Sequence, residues 1–129
     1  MKIFQSLIFC LFAGMSQAGE GFVDAYAGAW RGVGLQDNGD SWVVLLEVGR
    51  EHADVDYPDI PCGGTWEYGL VLGQSITVRE ELDYGTALCI NQSRVVLESA
   101  SETQLFASWH DDSGVEIGFA VLHRNDPAL

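Results

Sequence analysis

Lysine occurs once in this chain, at Lys2, and five arginines are its only other permanent cations, against 19 carboxylates. So few cations exclude the counterion-releasing contacts that nucleic acid requires, and the acidic surface repels anionic lipid head groups. Cysteine is scarce, with three residues, and none has further Cys or His ligands at the short spacing of a zinc site. Long apolar runs are confined to the first residues, where Ile3 to Met15 is interrupted early by Gln5 and Ser6. A bilayer crossing needs about 20 apolar residues, so this run is too short for an anchor. Short catalytic signatures are missing too: there is no G-x-S-x-G elbow, no H-E-x-x-H pair and no glycine loop set to cradle a phosphate.

The opening MKIFQSLIFCLFAGMSQA combines an early lysine, an apolar stretch and small residues at Ser16 and Ala18, the pattern of a cleaved secretory signal. We read residues 1–18 as that signal and residues 19–129 as a single domain, periplasmic or secreted. A lipoprotein reading would acylate Cys10, but bulky Phe9 precedes it and apolar chain follows. Without Lys2, five arginines face 19 acidic residues, a balance of −14. Cys62 and Cys89 then form an even pair in an oxidising compartment, where one disulfide is expected. Closing a loop of roughly 27 residues is worth on the order of 3 kcal/mol in the chain-entropy model. The alternative is two free buried thiols.

Period-two alternation recurs along most of the remaining chain, the pattern of strands with one buried face. Trp42, Val44, Leu46 and Val48 share one face, as do Trp66, Tyr68, Leu70 and Leu72. Further sets are Ile76, Val78 and Leu82; Leu105, Ala107 and Trp109; and Val115, Ile117, Phe119 and Val121. Turn formers separate the runs at DNGD, VGRE, PDIPCGG, DYGT and DDSG. Connections this short favour antiparallel neighbours. About eight strands are expected, near 27–35, 41–48, 52–57, 65–72, 75–82, 87–99, 103–110 and 115–123. The fold class is therefore all-β: a single antiparallel up-and-down β-barrel, lipocalin-like or a rolled meander, because closure removes exposed edges. A two-sheet β-sandwich is the alternative. Gly19 to Tyr26 is expected to form a short helix or an arm that closes one barrel end, and the final NDPAL a frayed tail.

The stretch YPDIPCGGTWEYG marks a corner. Pro58 and Pro61 fix φ and remove two donors, so a ladder cannot continue, and Gly63 and Gly64 let the backbone swing Cys62 toward another strand. Together with SITVREEL and YGTALCI, this order resembles a small exported bacterial β module also found as the extracellular end of some actinobacterial serine/threonine kinases. The likeness spans roughly Tyr57 to Ile90, with a loose match at Trp30 to Gly32. It implies an extracytoplasmic β module bridged between Cys62 and Cys89, and it assigns no ligand.

Glu80 is the leading candidate site residue. It shares parity with Ile76, Val78 and Leu82, so its carboxylate points where they point, and a buried charge must be paired or protonated. Arg31 or Arg94 is the expected partner; alternatively a bulge at Glu80 and Glu81 turns both outward. Trp30, Trp42, Trp66 and Trp109 either line a pocket or fill the core, and Glu80, Trp30, Trp66 and Arg31 form the expected ligand-binding set. His110, Asp111 and Asp112, like DNGD, lack the spacing of a calcium loop and read as hairpin turns, so no metal and no cofactor is expected. His123 reads as a partly buried histidine near a strand end. Ser108, His110 and Asp112 alternate on one strand and cannot meet in triad geometry. The glycosylation-like NQS at 91–93 carries no weight in a bacterial protein.

The expected function is an exported, non-enzymatic binding module, with an acidic periplasmic inhibitor or a sensor-type domain as specific forms and a cationic partner fitting the charge. The alternatives are a small hydrolase using carboxylates at the barrel mouth, with Glu80 as general acid or base, and a structural protein of the cell envelope.

Overall fold

A computed structural model describes residues 18–89 and 93–125. The signal segment falls almost entirely outside these residues, as do the first two residues of NQS and all but the first residue of the NDPAL tail. Among the described residues one helix, α1 (Ala18–Tyr26), precedes eight strands: β1 (Gly28–Leu35), β2 (Ser41–Val48), β3 (His52–Tyr57), β4 (Cys62–Leu72), β5 (Ser75–Tyr84), β6 (Arg94–Ser101), β7 (Gln104–His110) and β8 (Glu116–Arg124). Each strand pairs antiparallel with the next, and β8 returns to β1, so the sheet is a closed up-and-down barrel rather than a sandwich.

The alternation carries the buried face of β2 as expected: Trp42, Val44, Leu46 and Val48 all point into the core. On β4 it fails halfway. Between the pairs Tyr68–Val78 and Val71–Ile76, β4 advances three residues while β5 advances two, and such a bulge reverses the parity of everything beyond it. Leu70 and Leu72 are therefore 64% exposed, and Val71 packs against the core in their place. The same happens on β8, where Trp109 pairs with Gly118 but His110 pairs with Glu116, leaving Ile117 as the extra residue. Gly118, Ala120 and Leu122 then face inward, while Phe119 and Val115 point to solvent. The expected set on β8 was out of phase because its outward residues are larger than the glycine and alanine that face the core.

The expected strand at 87–99 begins only at Arg94, and Cys89 sits in the β5–β6 loop rather than in a strand. Its bridge to Cys62 is present, so the staple ties the first residue of β4 to that loop. The corner holds because space is made for it: a Cβ on Gly85, which has φ +66, would lie 2.2 Å from the Pro61 carbonyl oxygen. Across the same corner the Tyr84 hydroxyl donates to Asp56. That bond pushes the phenol up to about 12.

At the opposite end, α1 places Phe22 and Val23 in the core cluster. Trp30 Nε1 donates to the Tyr26 carbonyl at 2.9 Å. Arg124 stacks 4.5 Å over the Trp30 ring and donates to the carbonyls of Ala25 and Ala27, near the helix C-terminus where a cation is favourable. The helix thus closes the end from which β1 departs, and the other end carries the β1–β2, β3–β4, β5–β6 and β7–β8 loops.

Candidate functional site

Glu80 lies midway along β5, only 3% exposed, on the inward face with Ile76, Val78 and Leu82. The parity argument placed it correctly, and no outward bulge rescues it. Its partner is not an arginine. Arg31 is exposed on the outer face of β1, between register partners on β2 and β8, and Arg94 is exposed at the start of β6. Both expected pairings are corrected for the same reason: each arginine occupies the outward phase of its strand, and the barrel wall separates it from the interior.

Neutral donors hold the carboxylate instead. Trp66 Nε1 donates to Glu80 Oε2 at 2.8 Å, and the Tyr57 hydroxyl donates to the same oxygen. Tyr57 Oη in turn accepts from Trp109 Nε1 at 3.1 Å. Burial pushes the Glu80 carboxyl above its ordinary range, and the donors from Tyr57 and Trp66 offset part of that rise. Burial and the neighbouring carboxylate push the Tyr57 phenol well above its ordinary value. Four side chains from β3, β4, β5 and β7 are thereby locked into one network around a carboxyl that meets no cation among the described residues.

Above this network the interior is open. A cavity of about 130 Å³ is walled by Trp42, Tyr57, Ile60, Trp109 and Ile117, with Glu80 at its base. Trp42 stands edge-on to Trp109, with ring centroids 5.4 Å apart. Glycine makes room for it: a Cβ on Gly34 would lie 2.3 Å from the Trp42 ring, and one on Gly118 would lie 2.8 Å away. Two of the smallest inward positions, on β1 and β8, therefore exist to seat an indole that forms the cavity wall.

Of the expected ligand-binding set, the structure brings Glu80 and Trp66 together. Trp66 is fully buried behind the carboxylate. Trp30 lies at the far end under α1, and Arg31 is outside. Trp42 and Trp109, which the alternation placed inward, are wall residues. Tyr57 was missed, although HADVDY puts it in phase with Ala53 and Val55, both buried; its place beside Pro58 drew attention to the corner rather than to its side chain. Ser108 Oγ and His110 Nε2 meet at 3.0 Å on the outer wall. Asp112 does not join them. The DDSG turn is organised by Asp111, whose Oδ1 accepts from Ser113 and Val115, and those bonds hold its carboxyl below the ordinary range. Both DNGD and DDSG are hairpin turns, and no group of three or more metal-ligating side chains occurs among the described residues.

No protein-family model matches the chain, and no curated protein does. Solved structures share its architecture. A redesigned β barrel superimposes with a TM-score of 0.63 at 13% identity, covering 81% of this chain and 95% of its own. A second redesigned β barrel, mFAP1, bound to DFHBI, gives 0.60 at 13% identity over 79% of this chain and 97% of its own. Another solved structure, EF1p2_mFAP2b bound to DFHBI, gives 0.59 at 11% identity over 84% of this chain and all of its own. At these identities the likeness concerns the fold, and the chain resembles these structures in backbone course alone.

Proposed function

We propose that this protein is an exported, non-enzymatic binding module that takes a small molecule into the barrel mouth above Glu80. The single observation that carries this reading is the cavity itself. A barrel of this size can be filled completely by its own side chains, yet here about 130 Å³ stays open against a buried carboxylate and two indoles. Concave, largely apolar sites with one or two placed polar groups are the usual form of small-molecule pockets. The neighbours bound to DFHBI agree with a frame of this kind holding a ligand and carry nothing about its chemistry. Export rests on the signal-like first 18 residues together with the Cys62–Cys89 bridge, and the balance of −14 makes nucleic acid and anionic membranes poor partners.

Fragment screening by NMR tests the reading, with the four indole N–H resonances as reporters. Ligands are expected to shift Trp42 and Trp109 while leaving Trp30, at the closed end, unchanged. A library that moves none of these signals, or moves only outer-wall residues, refutes it.

A further inference from the structure

The ligand class follows from charge and shape at that same cavity, so this inference rests on the reading just given. Three independent features converge. The carboxylate at the cavity base is 3% exposed and meets no cation among the described residues; Tyr57 is the one titratable group acting on it, and the other neighbours are the indoles of Trp66 and Trp109. A carboxylate offers roughly four acceptor positions, of which Tyr57 and Trp66 occupy two, so acceptor capacity is left for a donor arriving from the cavity. The walls are aromatic, and ring faces attract cations.

The rim supplies the third feature. The loops at this mouth contain Asp37, Asp40, Asp59, Asp111 and Asp112; Arg94, the first residue of β6, is the cation nearest them and shares an outer groove with Asp111 and Asp112, whereas Arg50 and Arg124 belong to the closed end. A rim with five carboxylates to one neighbouring cation, around a low-dielectric opening, concentrates cations there. We propose that the cavity is a receptor for a small organic amine, bound as the ammonium with its charge on Glu80 and its apolar body between Trp42 and Trp109. The volume fits a single ring: an apolar cavity of about 150 Å³ accommodates benzene.

Binding is coupled to a proton. Glu80 must be ionised to receive an ammonium, and burial holds its carboxyl above the ordinary range, so affinity for an amine rises with pH until Glu80 is fully ionised and falls again only as the amine itself loses its proton. Affinity for a neutral analogue lacks that rise.

Benzylamine, benzyl alcohol and benzoate, matched in ring and differing in charge, are titrated into the full chain by NMR and calorimetry between pH 5 and 8.5. Benzylamine is expected to bind at least about tenfold tighter than benzyl alcohol at pH 8, in keeping with a charge-assisted hydrogen bond, with the gap narrowing toward pH 5 and benzoate not binding. Glu80→Gln is expected to bring benzylamine and benzyl alcohol within about threefold of each other while an unchanged Trp30 resonance and an unchanged far-ultraviolet circular dichroism spectrum verify the fold. Equal binding of amine and alcohol to the wild-type chain overturns the amine assignment and leaves the small-molecule reading standing. Binding of none of the three overturns both. Should Glu80→Gln fail to fold, the pH dependence of the wild-type preference decides alone, and a pH-independent preference counts against Glu80 as the receptor.

Discussion

Replacing Glu80 by glutamine removes a buried charge while keeping a carbonyl oxygen that can accept from Tyr57 and Trp66. In the wild-type chain burial raises the Glu80 pKa above 4.5, so the folded state keeps a proton at pH values where the unfolded state has released it. More protons bound in the folded state mean that stability falls as pH rises. The contribution is flat below about pH 4.5, declines by at most about 1.4 kcal/mol per pH unit up to the folded pKa, and is flat again above it. The glutamine variant lacks this decline. Other carboxylates titrate alike in both proteins, so the informative quantity is the difference between their urea-unfolding free energies, read by far-ultraviolet circular dichroism from pH 4.5 to 8. That difference is expected to move in favour of glutamine with rising pH. Glu80→Ala is the contrast: it leaves the Tyr57 hydroxyl and Trp66 indole without their acceptor, at roughly 1–3 kcal/mol each. A midpoint lower by ten degrees or more is expected, since about 1 kcal/mol shifts a domain of this size by several degrees. A wild-type advantage that grows with pH, or an alanine variant as stable as the glutamine one, would refute the reasoning.

Other expectations concern the wall and the frame. Gly34→Ala places a methyl group 2.3 Å from the Trp42 ring, so thermal unfolding should show a loss of about 1–3 kcal/mol from overpacking, accompanied by a displaced Trp42 resonance. The two reversals of strand phase make paired predictions: Leu122→Ala should cost about 2–5 kcal/mol, whereas Phe119→Ser and Leu70→Ser should stay near 0.5 kcal/mol in chemical denaturation. Replacing Cys62 and Cys89 together by serine should lower stability by about 3–4 kcal/mol in the chain-entropy model, and thiol labelling of the unfolded, unreduced wild-type chain should find neither of these cysteines reactive.

The alternation of apolar residues was enough to specify strands, short turns enough to make them antiparallel neighbours, and the cost of open edges enough to favour closure. Those are local or nearly local properties, which is why eight strands, the terminal helix and the inward direction of Glu80 were legible. The bulges were not. One extra residue on β4 or β8 leaves no compositional mark, and it is selected by how β4 meets β5 and β8 meets β7 around the barrel. The same holds for the donors to Glu80: an arginine looked necessary because a buried charge needs a partner, but which side chains converge is fixed by strand register around the barrel, and that register sent Arg31 and Arg94 outside while bringing Tyr57, Trp66 and Trp109 within reach. The order of amino acids thus determined the ribbons and their polarity, because period and turn chemistry act over a few residues. Whether the interior was full or hollow, and what faced the acid at its base, depended on contacts between residues 14 to 52 positions apart, which only the closed barrel brings together.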